Sequence, residues 1–267
     1  MKNSELAKQF AERHRQSKPL VLPNVWDAGS ARLMRSLGAE AIATTSSGLA
    51  WAHGYPDGDK LPVEVHVIAV MQIARVVDCP ISVDAEGGYG NDGTLVGENV
   101  ARLIDAGAVG FNLEDGQGPP DAFCRKIEAT KAAGARSGVD VFVNARTDVY
   151  LRELAPGREV EETLHRAKLY VGAGADGLFV PSAIAAADID RLVRGQPLPV
   201  NVMALPGLPS LDELTRLGVR RISAGAAIAQ RTWALAQHLG EAFLTHGSTD
   251  DLFAGAAAYS AVNSLIS

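Results

Sequence analysis

The stretch Pro80-Ile81-Ser82-Val83-Asp84-Ala85-Glu86-Gly87-Gly88-Tyr89-Gly90 organises the reading of this chain. A short apolar run follows Pro80, ends in carboxylates at alternate positions, and then breaks into glycines around a tyrosine. Side chains alternate across a strand, so Ser82, Asp84 and Glu86 are expected on one face. Two neighbouring carboxylates repel unless something neutralises them, and a hard divalent cation such as Mg2+ does so through oxygen ligands. The same residues also suit a plain strand end whose acids cap the next turn. Gly87, Gly88 and Gly90 supply that turn, because glycine tolerates positive φ. They lack the spacing of a dinucleotide-binding loop.

Outward from this strand, one local design recurs. Helical stretches close on Gly38, Gly107, Gly174 and Gly218, each followed within a few residues by an apolar run. Glycine after a helix takes the left-handed capping conformation, and the run begins the next strand. Strands are expected near Leu20–Pro23, Ala41–Thr44, Ile81–Asp84, Gly110–Leu113, Val141–Ala145, Gly177–Val180, Val200–Met203 and Arg221–Ser223. Helices are expected near Ser30–Leu37, Val63–Val77, Leu95–Ala106, Phe123–Ser137, Val160–Gly172, Ala187–Arg194, Leu211–Leu217 and Ala226–Leu239. Strands alternating with helices over short connections predict a parallel sheet. Eight alternations favour a closed (β/α)8 barrel of TIM type over an open doubly wound sheet. The expected organisation is one α/β domain over residues 1–267, with an alanine-rich helical tail over 241–267. A tail this apolar is expected to pack on its own barrel or on a neighbouring subunit.

Barrel enzymes do their chemistry at the carboxyl ends of the strands. Four successive strands here end in polar pairs two residues apart: Thr44 with Ser46, Asp84 with Glu86, Asn112 with Glu114, and Asn144 with Arg146. Each pair is expected on one face. Acids and an arginine gathered in a barrel mouth make sense around a metal and an anionic ligand, since an unpaired buried charge is costly.

The bulk numbers narrow the function. The chain has 267 residues, 47% hydrophobic and 21% charged, with a formal net charge of −6. That profile is ordinary for a globular protein, and the absence of a basic run argues against nucleic-acid binding. The charged N-terminal stretch, Met1 to Phe10, reads as helical and lacks the apolar centre of a signal peptide; no stretch is long and apolar enough to span a membrane. Two cysteines, Cys79 and Cys124, suit a reducing compartment, so the expected location is cytoplasmic.

Pro80–Gly90 resembles the D-x-D-x-G-Y-G strand end of the isocitrate lyase and phosphoenolpyruvate mutase superfamily. The resemblance extends over most of the chain. It takes in Pro23 to Ala31 as the first strand and helix start, Thr45-Ser46-Ser47-Gly48-Leu49 as the substrate-binding serine loop, and Gly54-Tyr55-Pro56-Asp57 as the aspartate loop. Asn112-Leu113-Glu114-Asp115 is similar to the L-E-D motif, and Asn144-Ala145-Arg146-Thr147-Asp148 to the A-R-T-D motif. The resemblance implies that Asp84 ligates Mg2+, with Mn2+ as a substitute, while Asp57, Glu86 and Glu114 hold its coordinated waters. It also implies that Ser46, Ser47 and Gly48 bind the carboxylate of a small-molecule substrate and that Arg146 faces the same ligand. A homotetramer, built as a dimer of helix-swapped dimers, is implied as well, and would account for the tail. The cation would stabilise a developing enolate oxygen as a Lewis acid, and the arginine would offer a fixed fork of donors.

Other residues carry weaker expectations. His53 could donate a proton, because histidine titrates near neutral pH, although most loop histidines are only solvated. Tyr89 either bonds the ligand or caps its turn. Asn112 and Asn144 are expected beneath the acids, holding them in place; Asn144 is also a candidate ligand contact. Arg220-Arg221 opens a strand at the far end of the barrel, where a stabilising role is expected.

The chain also departs from the family. Glu86 stands where many members have aspartate. The carbon–carbon lyases of the superfamily carry K-K-C-G-H or K-R-C-G-H after the L-E-D motif, whereas this chain reads Asp115-Gly116-Gln117-Gly118-Pro119-Pro120-Asp121-Ala122-Phe123-Cys124. Cys124 is expected to be structural. The longer asparagine-bearing loop of the phosphonopyruvate enzymes is absent too. The resemblance therefore implies an Mg2+-dependent lyase that cleaves a C–C bond of a small 2-oxo or 2-hydroxy carboxylate, by retro-aldol cleavage or decarboxylation, through a metal-stabilised enolate. Phosphoenolpyruvate mutase or phosphonopyruvate hydrolase chemistry is the alternative, and a non-catalytic 2-oxo acid binder is the third reading.

Overall fold

The computed structural model describes residues 2–266. Nine parallel strands run in the order β1-β9-β8-β7-β6-β5-β4-β3-β2, where β1 is Leu20–Leu22, β2 Asn24–Val25, β3 Ile42–Thr44, β4 Ile81–Asp84 and β5 Gly110–Glu114. The remaining strands are β6 Phe142–Arg146, β7 Gly177–Phe179, β8 Val200–Met203 and β9 Arg221–Ser223. The two ends of this order meet, because β1 and β2 are halves of one strand broken at Pro23. Proline has no N–H to give a ladder, so the break falls there. The Pro23 carbonyl still accepts from the Ala43 N–H at 3.1 Å. Asn24 staples the closure: its amide donates to the Thr44 carbonyl at 2.8 Å and accepts from the Gly225 N–H at 2.9 Å. The result is a (β/α)8 barrel whose first strand is split.

Twelve helices accompany the strands among the described residues, from α1 (Lys2–Arg13) to α12 (Tyr259–Ile266). Helix α1 closes the amino-terminal end of the barrel with Phe10, which is fully buried. Gly110 is required opposite it, since a Cβ there would lie 2.6 Å from the Phe10 ring. The outer helices that match expectation are α2 (Ala28–Ser36), α4 (Val63–Val76), α5 (Gly93–Asp105), α6 (Pro120–Arg136), α7 (Glu159–Gly172), α8 (Ala186–Arg194) and α9 (Leu211–Leu217). Asp27, Asp92 and Ser210 cap α2, α5 and α9 by accepting from N–H groups of the first turn.

Two elements depart from the sequence expectation. The serine loop is not a loop: Ser46–Ala52 forms a short helix, α3, capped by Thr45. Helix α10 (Ala227–His246) runs past the expected Leu239, and Ala229 is its one fully buried residue. With α11 (Asp250–Phe253) and α12 it leaves Leu244, Phe253 and Tyr259 more than three-quarters exposed, although α12 returns to α2 of its own barrel, where Arg32 Nε donates to the Leu265 carbonyl at 2.8 Å. The outer surface of β1 and β9 is correspondingly bare, and a groove of about 360 Å3 runs along Val21, Met34, Leu37, Ile222 and Ile228.

Candidate active site

The strand register assembles the site. Asp84 lies beside Asn112 and Asn112 beside Asn144, while one step higher Glu114 lies beside Arg146 and Arg146 beside Phe179. A cavity of about 280 Å3 opens above these strand ends, lined in part by Ser46, Ser47, Asp57, Asp84, Asn112 and Arg146. A larger one, about 450 Å3, lies at the opposite end among His14, Phe142 and Arg220. It lies where the strands begin, at the end of a barrel that serves stability.

Asp84 accepts from the Ser46 N–H at 3.2 Å, and its own N–H donates to Thr44 Oγ1 at 2.9 Å. Burial raises its pKa against the opposing pull of Arg146. Burial also pushes Glu114 up to about 8, although Arg146 pairs with it at 2.6 Å. Glu86 rises to about 7 through burial and the charges of Asp84 and Asp59. Like-charged carboxylates drawn out of water together raise one another's pKa, and a cation would reverse that.

Glu86 does not reach the site by strand parity. Strand β4 ends at Asp84, and Glu86 has φ 49° and Tyr89 φ 54°, both left-handed and strained for residues with a side chain. Glu86 then accepts from the Gly58 N–H at 3.0 Å, which ties the aspartate loop to the segment after β4. Gly88 is held by a φ of 86° and by Val96, whose methyls would lie 2.8 Å from any Cβ.

Several expected ligand contacts lie elsewhere. The Tyr89 hydroxyl pairs with His66 Nδ1 at 3.0 Å beside Glu86 and does not line the cavity. His53 ends α3, exposed, with its ring nitrogen on the Leu49 carbonyl at 2.9 Å, and does not line the cavity. Gly48 sits beneath Ser46 and Ser47, pressed against Thr45, Ala229 and Trp26. Asn144 is buried and donates to Asn112 Oδ1 at 2.9 Å, so it supports the floor. Residues 115–119 form a tight turn into α6, and Cys124 packs half-buried on that helix against the core.

Three features escaped the sequence. Asp115 is buried and accepts from the Asp148 N–H at 2.9 Å, Arg166 Nη1 at 2.8 Å and the Tyr170 hydroxyl at 2.6 Å. Asp148, for which an orienting role toward Arg146 could be read from the sequence, pairs with Arg146 at 2.7 Å and with Arg152 at 2.8 Å. Arg221 is not at the rim but in the barrel centre, fully buried, donating to Asn112 Oδ1 at 3.2 Å. Desolvation lowers its pKa to about 9. The third is an apolar wall of Leu151, Phe179, Pro181, Met203 and Leu205. Strand periodicity alone could have placed Phe179 and Met203 inward, but Asp115 needed partners on α7 that no local pattern announces.

The family described as phosphoenolpyruvate phosphomutase matches residues 10–244. The chain belongs to it. An uncharacterised protein of Mycobacterium tuberculosis is 38% identical over 222 residues, covering 81% of each chain. An oxaloacetate decarboxylase of Ectopseudomonas mendocina is 30% identical, covering 76% of this chain and 72% of its own. A solved candidate phosphonomutase of Burkholderia cenocepacia J2315 is 42% identical with a TM-score of 0.84, covering 89% of this chain and 99% of that one. Within the superfamily of isocitrate lyase and phosphoenolpyruvate mutase, this chain is an enzyme of the lyase and mutase kind.

The donor set fits a hydrated hard cation. Among the described residues, no group of three or more His, Cys, Asp or Glu gathers closely enough to hold a metal by side chains alone. Yet every carboxylate at the strand ends is an oxygen donor, and Asp84 faces the cavity. Mg2+ keeps several waters and binds through one or two carboxylates, which is what this arrangement offers.

Proposed function

We propose that this chain is an Mg2+-dependent carbon–carbon lyase acting on a small 2-oxo or 2-hydroxy carboxylate, by retro-aldol cleavage or decarboxylation. The meeting of Asp84, Glu86 and Glu114 with Arg146 at the mouth of one barrel supports it most directly. Asp84 would hold the cation, with Asp57, Glu86 and Glu114 about its waters and Mn2+ able to replace it. The cation, when bound, supplies a Lewis acid for negative charge developing on the substrate's oxo oxygen. Ser46 and Ser47 line the cavity and offer hydroxyls to the substrate carboxylate. Arg146, fixed by Glu114 and Asp148, presents its guanidinium to the reacting end without having to reorganise.

In decarboxylation the bond to the departing carboxyl carbon breaks, CO2 leaves with no charge, and the electron pair passes to the oxo oxygen. A proton then returns to the carbon that lost CO2. No cysteine general acid is needed to protonate a leaving group, which agrees with Cys124 lying packed on α6. Incubating oxaloacetate and alkylmalates with the protein and Mg2+, and following CO2 and 2-oxo acid products, tests the reading. Absence of turnover on all of them, with Mg2+ binding retained, would sink it. The 42% identity to a candidate phosphonomutase favours phosphonate chemistry as a second reading. An unchanged phosphorus NMR spectrum on incubation with phosphonopyruvate removes it.

We further propose that the functional form is a homo-oligomer in which the 241–267 tail of one subunit covers the bare β1–β9 groove of another, giving a tetramer of helix-swapped pairs. The apolar tail and the apolar groove on the same chain support this. No helix among the described residues is long and apolar enough to cross a membrane. Free Cys79 and Cys124 suit a reducing compartment, which supports a cytoplasmic location.

A further inference from the structure

The cavity has two unlike arcs. Strands β3 to β6 and the segments after them bring Ser46, Ser47, Asp84 and Arg146 to one side. Across the barrel mouth, β7 and β8 and the segments after them bring Phe179, Pro181, Met203 and Leu205, with Leu151 beside them from the loop after β6. Phe179 and Pro181 are buried and Leu205 is half-buried. Arg146 marks the boundary, with its guanidinium carbon 6.0 Å from the Phe179 ring centre.

Cations are scarce here. Among the described residues lining the cavity, Arg146 is the one charged donor, and Glu114 and Asp148 already hold it at 2.6 and 2.7 Å. The side away from the serines adds only neutral polar side chains, Asn24, Ser223 and Gln230. A carboxylate or phosphonate pushed against the β7–β8 arc would lose water and find no counter-charge, which is expensive. A hydrocarbon group placed there loses nothing and leaves water behind.

Resting on the lyase reading above, we propose that the β7–β8 arc receives a hydrocarbon branch of the substrate, with Phe179 and Leu205 setting its length. The preferred substrates are then 2-oxo or 2-hydroxy dicarboxylates with an alkyl branch on the carbon next to the oxygen-bearing one. One carboxylate goes to Ser46 and Ser47 and the other faces Arg146. A third anionic group, as in a tricarboxylate, has no place to sit.

Kinetics on a series of malates and oxaloacetates carrying no branch, methyl, ethyl and propyl, with one branched tricarboxylate for comparison, test this in Mg2+. Calorimetric titration with oxalate, which has no arm, probes the metal end separately. The expected result is a rise in kcat/KM of about tenfold per methylene until the arc is full, with the tricarboxylate at least a hundredfold poorer. In Leu205→Arg the branch preference is expected to fall by tenfold or more and the tricarboxylate to gain, while retained oxalate binding reports a folded variant. Equal kcat/KM for branched and unbranched acids, or good turnover of the tricarboxylate by the wild type, overturns the inference and leaves the lyase reading standing. Failure of the wild type to bind oxalate in Mg2+ overturns both. If Leu205→Arg does not fold, Phe179→Leu serves instead, with the optimum expected to move to a longer branch and an unmoved optimum counting against the proposal.

Discussion

Asp115 shows how far a site depends on residues that touch no substrate. Its side chain is fully shielded from solvent and holds Arg166, Tyr170 and the Asp148 N–H together, and Asp148 orients Arg146. Removing one partner of a buried pair leaves the other uncompensated. Asp115→Asn is therefore expected to cost about 3 kcal/mol in urea unfolding, tempered because Arg166 keeps Glu162. It should also lower kcat, since Arg146 loses its fixed orientation; unchanged stability and kcat would refute the link. The acids give a second residue-scale prediction. Glu86 and Glu114 stand near 7 and 8 in the folded chain, both above the ordinary 4.5. Between those values the folded chain holds more protons than the unfolded one, so metal-free stability is expected to fall as pH rises from about 4.5 to 8. A cation favours the ionised acids, so the rise in Tm on adding Mg2+ should be larger at pH 8 than at pH 5. Ligand at a hundred times its Kd adds about 2.7 kcal/mol, which a melting curve resolves easily. Equal shifts at both pH values would count against Mg2+ at these carboxylates. Asp84 and Arg146 were legible in the sequence because strand-end polarity is a local signal. The roles of Asp115 and Arg221 were not, because their partners lie many residues away.

At the scale of elements, the first strand decides whether the barrel closes. Pro23 splits it, and Asn24 bridges β3 and the turn between β9 and α10 with two hydrogen bonds. Asn24→Ala would take this partner from the buried Thr44 carbonyl and leave the half-buried Gly225 N–H facing the cavity, costing about 1–3 kcal/mol in denaturant unfolding. A loss under 0.5 kcal/mol would mean that the closure does not depend on the staple. Most strand bounds could be read from the sequence: Ile81–Asp84, Val200–Met203 and Arg221–Ser223 fall where the apolar runs place them. Helix α3 could not, because Ser46-Ser47-Gly48 has poor helix propensity and is held by the Thr45 cap and by close packing on Ala229. Parity failed at Glu86 for a related reason. A left-handed residue resets the alternation that strand reasoning assumes.

For the whole molecule, the open question is what covers the carboxyl-terminal helices. A barrel normally packs its last helix on the outside of its own sheet, yet α10 buries Ala229 alone and projects Trp233, Phe243 and Leu244 outward. Val21 and Leu37 are exposed on the same chain beside the uncovered groove. Monomers rarely leave large apolar side chains this free, and an exchange of tails would bury both surfaces at once. Deleting residues 241–267, or making Leu244→Glu, is then expected to shift light-scattering mass toward the monomer and to lower Tm by several degrees. The two variants separate the causes, since Leu244→Glu leaves the chain length intact and adds a charge where the reading puts an apolar contact. A wild type that is monomeric at micromolar concentration would refute the exchange outright. An oligomer that survives both changes would place the interface on another face of the barrel, and Ile68 and Met71 on the outer side of α4, both more than half exposed, are where its surface should then be sought.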